Sequence, residues 1–450
     1  MSDTNITSTP ASAVEQPNRM VQKPTRVRYQ VLAIGCALAV VTYIHRVGFS
    51  RALPDLGLTS EQAGWVMALF QLAYGAFEMP CGLLGDRLGT RHLLTLLVLG
   101  SSLLTGCVAL AVLLPAGGAV LAFLLFNRFV FGMFQAGTFP LLSRMMTDWI
   151  PLRERASAQG LIWMASRGGG LVAPFLFTAL AGVVGSWETA LWLLALLGVL
   201  WCAAFWPWFR NRPEETPNVN AAEREHILAG RATKPLGHGV VPWGAMLRSP
   251  SVWGLCLMYG CGGFAANFYV TLLSTYLRKT LQFPDDQTDW IAGLPFACGM
   301  AACVGGGFLS DGIIRRWNNR KWGRRINGLI GLTLGAFGWL SLIWVHSPWA
   351  VGFAFCFIFF CNDLNMGPAW AACADIGEKY AGTLGGTMNM IGAILGAVGN
   401  LIAGHLFLPG QPADLLFVIY AGSFFLAGMC WFLVDVTKPL TDKNQEAPTP

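Results

Sequence analysis

Gly82-Leu83-Leu84-Gly85-Asp86-Arg87-Leu88-Gly89-Thr90-Arg91 closes one apolar stretch of the chain. Gly307-Phe308-Leu309-Ser310-Asp311 closes another, with Arg315, Arg316, Arg320, Lys321, Gly323, Arg324 and Arg325 behind it. The interval from Asp86 to Asp311 is 225 residues in a chain of 450. A motif repeated at half the chain length implies two halves related by duplication. Each G-x-L-x-D end also has a mechanical reading. Small residues let neighbouring helices approach, and the aspartate stands where it can meet helix N-termini and loop arginines. Gly82, Asp86, Arg87, Gly89, Arg91, Gly307 and Asp311 are therefore expected to form a latch that stabilises one of two rocking states.

Composition around these anchors fixes the class. Hydrophobic residues make up 54% of the chain, charged residues only 12%, and the mean hydropathy is +0.52. Soluble domains carry roughly a quarter charged residues, so the chain reads as an integral membrane protein. A spanning helix needs about 20 apolar residues. Such stretches fall near 29–51, 60–84, 92–115, 118–143, 156–184, 187–209, 250–277, 288–311, 326–346, 349–375, 382–408 and 413–435. Several run long, which tilt accommodates, and the strict alternation of β-barrel strands is missing. The expected fold is an all-α membrane protein with twelve transmembrane helices in two pseudo-symmetric six-helix bundles. Residues 1–28 read as a disordered polar tail, 29–209 as the N-terminal bundle and 210–249 as a polar linker. Residues 250–435 read as the C-terminal bundle and 436–450 as a second tail.

Basic residues set the orientation. Of 30 Lys+Arg, 24 lie in the tails, the linker and the loops that follow even-numbered spans. Only Arg51, Arg278 and Lys279 fall in loops on the other side. The positive-inside rule then places both termini in the cytoplasm, in a cell membrane of the bacterial inner type. The same rule accounts for the net charge of +6 without nucleic acid, since the excess is a topology signal. No cleavable signal peptide is visible. The twelve cysteines are scattered, with no C-x-x-C and no histidine cluster. That pattern is small-residue packing and points to neither metal nor disulfides. No cofactor is expected.

Arg46, Arg128 and Arg167 interrupt stretches that otherwise read as lipid-soluble helix. A guanidinium does not shed its charge, so an intramembrane arginine is kept where something anionic meets it. Apart from carboxylates at span ends, Glu78 and Asp363 stand within spans, with Asp375 closing the tenth; these do not neutralise all three arginines, and the missing charge is most simply a substrate's. Counting 1.5 Å per residue, Arg128 lies about 15 Å and Arg167 about 17 Å into a roughly 30 Å core. Arg46 lies nearer the outer interface, where snorkelling at a helix end is the alternative. Gly168-Gly169-Gly170 beside Arg167 offers another, a crowded interface with bonds to backbone carbonyls. Asp363, in the polar cluster Cys361-Asn362-Asp363-Leu364-Asn365, is a candidate to line the pathway. Glu78, about two turns before Asp86, reads first as a partner for loop arginines, and Asp375 as structural.

The G-x-L-x-D-R-x-G-x-R loop in both halves, over twelve spans, resembles the major facilitator superfamily. A narrower resemblance is to its anion:cation symporter branch, which holds sugar-acid permeases and sialin-like carriers. It rests on Tyr43-Ile44-His45-Arg46, on Arg128-x3-Gly132-x2-Gln135-Ala136-x2-Phe139-Pro140 and on Trp149-Ile150-Pro151-x3-Arg155. The linker adds Arg210-x2-Pro213-Glu214 to Asn220-x2-Glu223. The resemblance implies a substrate cavity at the midplane, with Arg46 and Arg128 holding an acid group. Asn267, Tyr269, Trp370 and Asn389 match positions that are polar or aromatic in this branch, and Tyr43, Gln135 and Arg167 stand beside them as candidate substrate contacts. Two departures matter. Proton-coupled members usually have Asp before the first-span arginine and Glu seven residues after the fourth-span one; here these are His45 and Gln135. Glutamine can bond a hydroxyl or carboxylate but does not titrate, whereas histidine titrates near neutral pH. His45, Asp363 and Glu78 thus remain as coupling candidates.

The expected function is secondary active transport of a small organic anion, such as hexuronate, galactonate or glucarate, by alternating access. The expected partners are that anion, a co-transported proton or sodium ion and the lipid bilayer, with no nucleic acid and a monomeric carrier. An exchanger of organic anions or phosphate esters without proton coupling is the alternative. A phosphate-ester exchanger would call for an arginine in the seventh span, and residues 250–277 hold none within the membrane core. A non-transporting receptor would call for an appended soluble domain. An enzyme would need a nucleophile–base pair, a metal set or a phosphate loop, and none is legible.

Overall fold

Apolar runs of membrane length become helices because lipid offers backbone N–H and C=O groups no other partner. The computed structural model describes residues 23–115, 117–229, 241–271, 273, 276–277, 281–283, 285–345, 347–406 and 413–440. Residues 1–22, 230–240 and 441–450, which hold most of both tails and part of the linker, lie outside the described residues. So do Arg278, Lys279 and the side chain of Tyr269.

In the first half the spans are Val27–Ala52, Ser60–Leu88, Thr90–Cys107, a fourth built from Gly118–Ala136 and Thr138–Trp149, Arg155–Val184 and Trp187–Trp208. In the second they are Pro250–Thr271, Asp285–Trp317, Arg320–Ser341, a tenth built from Pro348–Asp363 and Met366–Gly377, Ala381–Leu406 and Asp414–Cys430. Nine segments among the described residues are long and apolar enough to cross a membrane, and one, Trp349–Ala403, takes in both the tenth and the eleventh spans. The seventh and ninth spans complete the twelve. Phe126, Phe175, Phe337, Phe353 and Leu401 are exposed on the outside of the molecule, a surface suited to lipid and not to water.

Local signals start and stop these rods. Thr59 and Gln62 form a reciprocal capping box at the second span, and Ser186 and Asn319 cap the sixth and ninth. Gly89, at φ +84°, ends the second span in a conformation that favours glycine. The fourth and tenth spans, read from sequence as continuous, are each broken. Pro140 follows Ala136 by four residues and Pro368 follows Leu364 by four. Each proline lacks the N–H that would bond that carbonyl, so the rod is severed at equivalent places in the two halves. Every residue of Thr138–Trp149 and of Met366–Gly377 is buried.

The halves meet where the second span packs on the eleventh and the fifth on the eighth. Glycines permit these crossings. A Cβ on Gly82 would strike the Gly382 carbonyl, one on Gly386 the Glu78 carbonyl, and one on Gly160 the Cys303 carbonyl.

The linker is fastened to the first span. Its helix Ala221–Leu228 is capped by Asn220, and Glu223 accepts from Thr25 Oγ1, from the Val27 and Arg28 backbone N–H groups at 3.0 and 3.2 Å, and from Arg28 Nη1. The first span has no cap of its own, so Glu223 serves as a cap from 195 residues away. Burial works to raise the Glu223 carboxyl. The bonds from Thr25, Arg28 and Val27, with the Arg28 charge, outweigh it and hold the group below its ordinary 4.5. A depressed folded value means the stabilisation is complete above about pH 4.5 and lost as pH falls through the folded value. The melting-temperature gap between wild type and Glu223→Gln is expected to be widest above pH 4.5 and to close on acidification. A pH-independent gap from thermal unfolding would remove this assignment.

Candidate functional site

Between the halves, at mid-depth, lies a cavity of about 200 Å³. The first, second, fourth, fifth, seventh, tenth and eleventh spans all contribute to its wall. Arg46 projects into it. Its Nε donates to Gln135 Oε1 at 3.1 Å, and its Cζ lies 4.2 Å from the centre of the Tyr74 ring and 5.3 Å from that of Tyr43. Its Nη2 is buried with no hydrogen-bond partner. Among the described residues no carboxylate lies within ion-pair distance of Arg46.

The other two arginines fare differently. Arg128, expected beside Arg46, is walled off. Phe49 and Phe131 lie against its guanidinium at 4.0 and 4.2 Å, and its Nε and Nη2 both donate to Asn127 Oδ1 at 3.0 and 2.8 Å. It is 2% exposed and does not line the cavity. Arg167 does line the cavity, but Asp363 meets it across the two halves. Nε reaches Oδ2 at 2.8 Å and Nη2 reaches Oδ1 at 3.0 Å. Nη1 donates to the Tyr43 hydroxyl at 3.4 Å. Two residues singled out separately, one for substrate and one for coupling, thus neutralise each other. The glycines after Arg167 bring the backbone of the first span close, with Gly169 against Val40 and Gly170 against the Tyr43 ring.

His45 is turned away. Adjacent residues on a helix point about 100° apart, so with Arg46 facing the cavity, His45 faces the sixth span. There its Nε2 donates to the Leu194 carbonyl at 2.9 Å, and the ring is buried. Glu78, read first as a partner for loop arginines, instead lines the cavity. Its Oε1 accepts from Asn389 Nδ2 of the eleventh span, and its Oε2 is buried with no partner. The correction follows from depth: the cavity reaches far enough towards the end of the second span to take in this turn. Asn389 Nδ2 also lies 3.3 Å from the Tyr74 hydroxyl. Asn267 lines the wall and donates to the Gly263 carbonyl at 3.1 Å. Trp370, expected at the ring of a substrate, lies outside the lining. It is 1% exposed and packs on Trp163, Tyr259 and Phe139. That cluster, with Phe139 and Trp163 stacked at 4.6 Å, forms the floor.

Below the floor the two G-x-L-x-D ends do equivalent things. Asp86 accepts from the Gly382 and Thr383 backbone N–H groups at 3.1 and 2.6 Å and from the Thr383 hydroxyl at 2.7 Å. Asp311 accepts from the Ala156 and Ser157 N–H groups and from the Ser157 hydroxyl, at 3.4, 2.7 and 2.7 Å. Each aspartate thus caps the first turn of a span in the other half. Gly307 stands against the Ala156 carbonyl. Arg324, fully buried, joins Asp311 at 2.6 Å to Asp375 at 3.1 Å, and Asp375 also meets Arg155 at 2.8 Å. Arg144 reaches the Glu378 and Lys379 carbonyls. Arg91 goes elsewhere, to the Trp206 carbonyl and ring, and Arg87 is exposed. Among the described residues, the bonds that join the halves therefore lie at mid-depth or on this motif face.

Sequence reasoning missed Gln71, Tyr74, Trp163 and Tyr259, all of which line the cavity. A signal existed for two of them. Gln71, Tyr74 and Glu78 fall at i, i+3 and i+7, a polar stripe on one face of an apolar helix.

A sequence model of the Major Facilitator Superfamily matches residues 31–400. Over 399 residues the chain is 29% identical to the probable sulfoacetate transporter of Cupriavidus necator, covering 88% of this chain and 90% of that protein. Over 411 residues it is 26% identical to the probable galactarate/D-glucarate transporter of Escherichia coli, with the same two coverages. Human sialin is 24% identical over 360 residues, covering 77% of this chain and 69% of sialin. Among solved structures, the proton:xylose symporter XylE superposes with a TM-score of 0.70 at 13% identity, over 91% of this chain and 96% of that one. The last likeness bears on the fold alone.

Proposed function

Because this chain belongs to the Major Facilitator Superfamily, we propose that it is a secondary transporter that moves a small organic anion across the membrane by alternating access. One observation carries this reading. Arg46 presents a guanidinium to the central cavity with one nitrogen unpartnered and no carboxylate at ion-pair distance among the described residues. A buried cation left in that condition is stabilised by a negatively charged guest. The relatives named as probable carriers of sulfoacetate and of galactarate and D-glucarate support an acid as that guest. A hexuronate, galactonate or short sulfonate fits the wall: acid group on Arg46, hydroxyls on Asn389, Asn267 and Tyr74. Both termini are assigned to the cytoplasm on the strength of the basic loops, and the cavity is then closed on the cytoplasmic side by the two aspartate latches. No catalytic role is assigned to any residue.

Glu78 is the proposed proton site. It is the carboxylate on the cavity wall outside an ion pair, with Arg46 and Tyr74 facing it from the first and second spans, Asn389 from the eleventh and Tyr259 from the seventh. A proton taken up there offsets the charge of the arriving anion. The test is uptake by purified carrier in proteoliposomes, with a panel of sugar acids and short sulfonates and an imposed pH gradient. Gradient-driven uptake, lost in Glu78→Gln while exchange of the same anion persists, is the expected result. Indifference to the gradient points to an exchanger. Carriage of neutral or cationic solutes with no preference for acids overturns the transport reading.

A further inference from the structure

We propose that Asp363 is a specificity-determining residue that sets the substrate's charge at one. The inference rests on the anion-transport reading and goes beyond it. Two cations line the cavity among the described residues, Arg46 and Arg167. Among those residues Arg46 has no carboxylate within ion-pair distance, and the charge of Glu78, which faces it, is cancelled by the proton proposed there. Arg167 has one, because Asp363 takes its Nε and Nη2 edge at 2.8 and 3.0 Å. This is the two-bond geometry in which a second carboxylate or sulfonate of a diacid would have to bind. Asp363 is held there from several sides. Asn362 Nδ2 donates to its Oδ1 at 3.0 Å, and its side chain is fully buried. A Cβ on Gly299 would collide with its Oδ2, so the eighth span closes the space behind it.

The remaining surroundings of Arg167 add no opposing charge. They are the Tyr43 hydroxyl at 3.4 Å, the rings of Trp163 and Phe359 at 5.5 Å, and Cys303. A monoacid therefore meets one free guanidinium. A diacid meets the same guanidinium and a wall already neutral, where its second charge is desolvated without a partner. The carrier rejects the second charge by having filled its place with a side chain.

Two matched pairs of probes test this: gluconate against glucarate, and isethionate against sulfoacetate. Within each pair the carbon skeletons are alike, and one terminal hydroxymethyl group is replaced by a carboxylate. Affinities are read by thermal shift and by competition of uptake in proteoliposomes. Wild type is expected to favour the monoacid of whichever pair it binds by at least about tenfold. Asp363→Asn, which keeps the side chain's shape, is expected to move the ratio at least about tenfold towards the diacid. The doubly neutral variant Arg167→Gln with Asp363→Asn is expected to restore the monoacid preference. A wild type that favours the diacid, or a ratio unmoved in Asp363→Asn, overturns the proposal while leaving anion transport standing. A double variant that follows Asp363→Asn overturns it too, since the shift then owes nothing to Arg167. Should Asp363→Asn fail to fold, a wild type that favours the diacid still overturns the proposal. A wild type blind to both pairs and to the wider acid panel removes the transport reading itself.

Discussion

Substrate affinity in an Arg46→Lys variant falls by about a hundredfold or more, with the fold intact. The planar fork at position 46 is steered by Gln135 through Nε and lies over the Tyr74 ring, leaving Nη2 for the guest. A lysine keeps the charge but loses the fork, the stacking and the steering bond. Charge-assisted bonds contribute about 1.5–3 kcal/mol each, and 1.4 kcal/mol is a factor of about ten in affinity. The companion variant Arg128→Lys is the contrast. That guanidinium is sandwiched between Phe49 and Phe131 and held by Asn127, so its loss acts on stability and changes affinity by less than about threefold. Binding measured by thermal shift and equilibrium uptake separates the two. Equal losses of affinity at 46 and 128 would mean that Arg128 reaches the guest after all.

Arg324→Met opens the latch on the motif face. The wild-type guanidinium is fully buried and holds Asp311, Asp375, the Ser310 hydroxyl and the Leu152 carbonyl together. Methionine leaves two buried carboxylates short of a partner, and removing one member of a buried ion pair costs about 3–5 kcal/mol. The cost falls on this conformation in particular, because Asp311 bridges to the fifth span of the other half and Arg324 to the Leu152 carbonyl just before it. Hydrogen exchange at the Ala156 and Ser157 amides, which donate to Asp311, is expected to quicken by about a hundredfold or more. Exchange unchanged at those amides, with exchange elsewhere also unchanged, would show that the network carries no latch.

Much of this molecule could be read from its letters. Twelve rods followed from apolar runs because the lipid core admits little else. The duplication followed from Asp86 and Asp311, and so did their meeting with helix N-termini, from what a carboxylate does there; that those termini belong to the opposite half did not. Arg46 was visible as a charge in an apolar span, but its depth left a snorkelling helix end as the alternative, and it was the family resemblance that placed it in the cavity. What stayed hidden was partnership. Arg167 and Asp363 are 196 positions apart, and no local pattern says that the fifth and tenth spans bring them together. The orientation of His45 was within reach, since one residue along a helix turns a side chain by about 100°, and facing Arg46 inward commits its neighbour to the sixth span. Glu78 was misplaced by counting turns from the helix end, which measures depth but not how far down a cavity extends. The breaks at Pro140 and Pro368 needed only the missing N–H to be noticed.

The short rods below those breaks touch protein on every side, so they are exempt from the bilayer's solubility rules. That exemption is what lets Arg144, Asp148 and Asp375 sit in segments otherwise counted as membrane helix. A polar replacement in either rod should be judged by the neighbours it gains or loses, as in any water-soluble interior, and a hydropathy plot will misjudge it every time.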